Sequence, residues 1–114
     1  MMKKKNRTGK KPVLNANTRT DLLALIDEIC KWLNGTYGPL PPEITLQVSP
    51  TDFATTAPEL PDEQLVAHAR TLRGEARGVE SALSKLTPDN TVVRIANNLK
   101  SLLYGLDDLL RTLH

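Results

Sequence analysis

Residues 62–113 read DEQLVAHARTLRGEARGVESALSKLTPDNTVVRIANNLKSLLYGLDDLLRTL, and this stretch decides the fold. Its apolar residues recur in heptad spacing twice over: Leu65, Ala69, Leu72, Ala76, Val79, Leu83 and Leu86, then Val92, Ile95, Leu99, Leu102, Leu106, Leu109 and Leu113. A repeat of about 3.5 residues keeps one stripe of side chains on one side of a helix, so each run predicts an amphipathic helix. Pro61, Asp62 and Glu63 open the first run, and Thr87, Pro88 and Asp89 open the second; proline and acids suit a first helical turn. Two helices over 62–86 and 89–113 with so tight a joint are expected to lie side by side as a long antiparallel hairpin.

The two predicted helices differ in bulk. The first has alanines at seam positions 69 and 76, and Gly74 and Gly78 in its middle. Each glycine costs about 1 kcal/mol relative to alanine, and their spacing suggests a kink or a point of close packing. The second carries an extra stripe, Ala96, Leu103 and Leu110, beside its seam. That face is too wide for one neighbour. A third helix over 19–34, with Leu22, Leu25, Ile26, Ile29, Trp32 and Leu33 on one face, is the nearest cover; a second copy of the hairpin, as a homodimer, is the alternative. Thr18 and Asp21 resemble a capping-box start for this helix, and Asn34-Gly35 supplies its stop.

Six prolines fall from Gly35 through Pro61 and deny the backbone donors that a helix or central strand needs. Within this crossover Ile44, Leu46 and Val48 alternate with polar residues, consistent with a short extended segment. Ser49, Pro50 and Asp52 are placed to start one helical turn that sets Phe53 against the helices. At 114 residues the chain has room for one core. The expected fold is all-α: a three-helix bundle over 18–114, built on the hairpin and preceded by an arm over 1–17. That arm holds too little apolar surface to offset the entropy of ordering it and is expected to be disordered.

The formal charge of +2 hides two regions of opposite sign. Lys3, Lys4, Lys5, Arg7, Lys10 and Lys11 give the first eleven residues +6 with no acid, which leaves nine basic residues against thirteen acidic ones elsewhere. Clustered cations on a flexible segment neutralise phosphates and release counterions without fixed geometry, so nucleic acid or another polyanion is the expected partner. Arg70, Arg73 and Arg77 share one flank of a helix and are expected to extend that surface, although Glu63, Glu75 and Glu80 on the same helix can pair with them.

Arg94, Asn97, Lys100 and Tyr104 form an outward face on the last helix, suited to a protein partner. The competing expectation is therefore a protein-interaction or inhibitory subunit that docks through its helical faces.

Catalytic chemistry finds no motif here. Cys30 and His68 stand on different helices with no turn to form an oxyanion site, and Asp27-Glu28 and Asp107-Asp108 diverge as neighbours on a helix. Two histidines and one cysteine supply no metal site, and no cofactor is expected. One cysteine, no secretory pattern and no membrane-length apolar run suggest a soluble protein of the cytoplasm with no membrane partner.

Overall fold

The computed structural model describes residues 14–113, and every regular element among them is helical. In chain order these are α1 (Ala16–Leu33), α2 (Pro50–Thr56) with a single 3₁₀ turn (Ala57–Glu59) at its end, α3 (Asp62–Leu83) and α4 (Asn90–Arg111). The described residues contain no strand, and Ile44 instead closes a turn by donating its N–H to the Pro41 carbonyl at 3.0 Å. The prolines around the 44–48 alternation leave no partner ladder for it to join.

Three of the four α-helices, α1, α2 and α4, start where a side chain satisfies a free N–H group, whereas α3 starts after Pro61 without a side-chain cap. Asp89 accepts from the Val92 N–H at 2.8 Å and opens α4, and Ser49 accepts from Asp52 at 3.3 Å and opens α2 with Pro50 behind it. At α1 the cap is Asn15, which accepts from Thr18 at 2.7 Å, so the helix begins ahead of the Thr18 start expected from sequence. Residues 14–17 consequently belong to the folded domain and not to the arm; Leu14 is buried. Asn34 ends α1, and Gly35 follows at φ +87°, a left-handed conformation that costs glycine little.

The core is a single apolar cluster to which α1, α3 and α4 all contribute, and among the described residues no polar or charged residue is buried. On α3 the expected seam is buried from Leu65 to Leu83, whereas Leu86 lies past the helix end and is half-exposed. On α4 the buried line runs Val92, Ile95, Leu99, Leu103, Leu106 and Leu110. The strict heptad would have used Leu102 and Leu109; both are only partly buried. A straight helix of about 3.6 residues per turn drifts by some 20° per heptad, so the neighbouring leucines rotate into the centre.

Two polar anchors hold the ends. Arg19 on α1 donates to Asp62 at 2.8 Å and to the carbonyls of Leu60 and Pro58 at 2.7 and 3.1 Å. The other Asp62 oxygen accepts the Leu14 N–H at 3.1 Å, so one carboxylate at the start of α3 fastens the start of α1. At the far end Arg94 lies over the Trp32 ring, 5.5 Å from its centroid, and donates to the Tyr37 carbonyl at 2.9 Å. Gly38 leaves room for that arginine: an added Cβ there would stand 3.0 Å from the guanidinium.

Gly74 and Gly78 lie within an unbroken α3 and face open space, with nothing within 4 Å of an added Cβ. They mark neither a kink nor a close packing point, because the α3 face that meets its neighbours is the Leu65–Leu83 stripe on the other side.

Candidate functional site

The flank of α4 that faces α3 gathers most of the described cations singled out in the sequence. Arg70, Arg73 and Arg77 stand on α3 at i, i+3 and i+7, and Arg111, Asp107 and Leu110 complete a cleft of about 230 Å³ with them. A second cleft of about 190 Å³ continues along the same seam, lined by Arg77, Glu80, Lys100, Leu103, Tyr104 and Asp107. The seam thus carries five cations, Arg70, Arg73, Arg77, Lys100 and Arg111, against the carboxylates Glu80 and Asp107.

Pairing within the seam is uneven. Asp107 receives Arg73 at 3.3 Å and Arg77 at its other oxygen, so one carboxylate holds two guanidiniums side by side. Its side chain is 19 % exposed, whereas that of Arg77 is 58 % exposed and can turn to a ligand while staying tethered. The side chains of Arg70 and Lys100 form no ion pair or hydrogen bond with another described residue, and both are exposed. Tyr104 is 69 % exposed beside Lys100.

The candidate partner face divides. Lys100 and Tyr104 join the arginines, Asn97 is exposed on the same helix, and Arg94 is occupied with Trp32 and Tyr37 at the end of α1. Lys3, Lys4, Lys5, Arg7, Lys10 and Lys11 lie outside the described residues.

On its other flank α4 meets α1, and the two helices leave an open groove of about 700 Å³ between them. Ala24 and Leu25 from α1 and Leu102, Gly105 and Leu109 from α4 form its floor; Asp21, Glu28, Asp108 and Thr112 form its rim. Sequence reasoning did not find this groove. Its signal was the doubled stripe on α4, which exceeds what α3 and α1 can cover.

The residues with catalytic potential have structural occupations. The His68 ring stacks on Phe53 with centroids 3.9 Å apart, and its Nε2 donates to the Phe53 carbonyl at 3.0 Å. Cys30 is fully buried; burial, then the nearby Asp27 charge, pushes its thiol from 9.0 up to about 12. In the unfolded chain the thiol ionises near 9, so the stability contributed by keeping it neutral is complete below that pH and is lost as pH rises toward about 12. Tyr37 is raised above the ordinary phenol value, chiefly by its hydrogen bond to Glu28.

Among the described residues no cluster of three or more His, Cys, Asp or Glu side chains could hold a metal ion, and no helix is long and apolar enough to cross a membrane. Comparison with protein-family models, with curated proteins and with solved structures yields no match.

Proposed function

We propose that this chain is a nonenzymatic binding module that takes a nucleic acid backbone, or a polyanion of like charge density, on the α3–α4 seam and on the basic residues of its first eleven positions. The observation that carries this reading is the row of five cations along the seam, two of which, Arg70 and Lys100, are exposed and have side chains that make no ion pair or hydrogen bond with a described residue. Phosphates spaced along a backbone can replace the shared Asp107 carboxylate as partners of Arg73 and Arg77, since exposed ion pairs are worth about 0–1 kcal/mol. Without a second exposed aromatic to stack bases beside Tyr104, binding follows charge and not sequence.

We infer that the scaffold beneath this seam is a three-helix bundle of α1, α3 and α4 built on an α3–α4 antiparallel hairpin. In support, neighbours along the seam step in opposite directions, from Arg70 beside Arg111, through Arg77 beside Asp107, to Glu80 beside Lys100.

The test is a salt titration of oligonucleotide binding by fluorescence anisotropy, with the full chain and with a chain lacking residues 1–11. Affinity should fall linearly on log–log axes with a slope near 0.9 per neutralised phosphate on duplex, and the truncation should reduce both affinity and slope. Binding that is indifferent to salt, or absent at low salt, overturns the proposal.

A second reading, a protein-interaction or inhibitory subunit, is favoured by one observation, the apolar groove between α1 and α4.

A further inference from the structure

We propose that the α1–α4 groove docks a basic amphipathic helix of a partner protein. The inference deepens the second reading above and is independent of the polyanion seam.

The floor calls for an apolar occupant. Leu25, Leu102 and Leu109 are half-buried and line the groove from both walls, Leu102 and Leu109 being the heptad positions that the drift of α4 turned out of the core. A single exposed leucine is ordinary surface, but three lining a trough of about 700 Å³ form a continuous apolar face.

The shape calls for a helix. Both walls are α-helices whose backbone groups bond within their own helix, so the groove offers no row of donors and acceptors to an extended strand. A helical guest satisfies its own backbone and presents side chains at i, i+3 or i+4, and i+7. From Leu102 to Leu109, and from Asp21 to Glu28, the walls run about 10 Å at 1.5 Å per residue, a length filled by about two turns of guest.

The rim selects the charge. Asp21, Glu28 and Asp108 supply three carboxylates, and among the described residues no cation lines the groove. Arg111 reaches Asp108 at 3.4 Å with both side chains more than 70 % exposed, a contact that a guest lysine or arginine can replace. A second copy of this chain seated by a two-fold axis would bring the acidic rim against itself. A partner helix with leucines in the trough and basic residues on both margins meets every wall with its complement.

The experiment follows leucine methyl and amide resonances of the full chain while a synthetic helix of about 18 residues is added, long enough to hold helical structure. One peptide carries lysines at its margins and an otherwise identical one carries glutamates. The basic peptide should move the methyls of Leu25, Leu102 and Leu109, and the acidic one should bind at least about tenfold more weakly. Asp21→Lys with Asp108→Lys should weaken the basic peptide by about tenfold or more, and Ala24→Trp, which fills the trough from an exposed position, should block it.

Circular dichroism of the variants separates lost docking from lost folding. Equal binding of both peptides in the groove overturns the basic partner and leaves the docking reading standing. No groove shift with either peptide overturns both. Groove shifts on deleting residues 1–11, or a dimer by sedimentation that buries these leucines, also overturn the proposal by naming another occupant.

Discussion

Toward α3, helix α4 presents Lys100, Tyr104, Asp107 and Arg111; toward α1 it presents Leu102, Gly105, Asp108 and Leu109. The first flank is closed by charge: Asp107 bridges to Arg73 and Arg77, and the clefts beside it are small. On the second, α1 covers the centre of the helix but not its edge, and a larger apolar trough is left open. The contrast shows how a stripe too wide for its neighbours is resolved. Leu103, Leu106 and Leu110 are drawn into the core, and the surplus leucines fall on the side where no carboxylate-to-arginine bridge closes the seam.

The largest effect should come from the line the two flanks share. Leu106→Ala removes a fully buried side chain and is expected to cost about 2–5 kcal/mol in urea denaturation, whereas Leu102→Ala, at the trough, should cost less than about 1.5 kcal/mol. The buried Cys30 thiol gives a second readout, since its alkylation at neutral pH requires the fold to open; it should be much faster in Leu106→Ala than in Leu102→Ala. Equal costs at the two leucines would mean that the trough is covered.

Next in size is the bridge. Asp107→Asn releases Arg73 and Arg77 from their shared carboxylate, with a stability loss of about 1 kcal/mol or less because both arginines are partly exposed. Nucleic acid affinity should nevertheless rise, and the salt slope should steepen by about 1–2, one increment of about 0.9 per arginine that gains a phosphate. Basic-peptide binding at the opposite flank should not change.

Effects of similar size and opposite sign concern the glycines. Gly74→Ala and Gly78→Ala add a methyl into open space in mid-helix and should each stabilise the protein by about 1 kcal/mol in thermal or urea unfolding. Gly105→Ala should add a similar amount, since its Cβ would meet Leu25 at an ordinary 3.5 Å. That methyl also narrows the trough, so only this third substitution should weaken peptide docking.

What the chain makes legible is local. The heptads from Leu65 to Leu83, the aspartate at 89 before α4, the Asn34-Gly35 stop and the Ser49-Pro50 start of α2 are each read within a few residues, and each stands in the structure. The start of α1 is local too, but Asn15 and Thr18 are both competent caps, and composition does not rank them; Leu14 finding the core and Asp62 does. The choice of Leu103 over Leu102 depends on whether the helix supercoils, a property of the assembled helices. Arg19 with Asp62, 43 residues apart, and Arg77 with Asp107, 30 apart, become pairs only once the helices are in register. The trough was least legible, because it consists of a neighbour that α4 lacks.

The most direct test of an α4 with two unlike flanks is one amide-resonance map of the full chain recorded with duplex oligonucleotide and again with the basic helical peptide. The expected result is two separate sets of shifts: Arg70, Arg73, Arg77 and Lys100 with the duplex, and Leu25, Leu102, Gly105 and Leu109 with the peptide. Shifts that coincide on one flank for both titrants would contradict it.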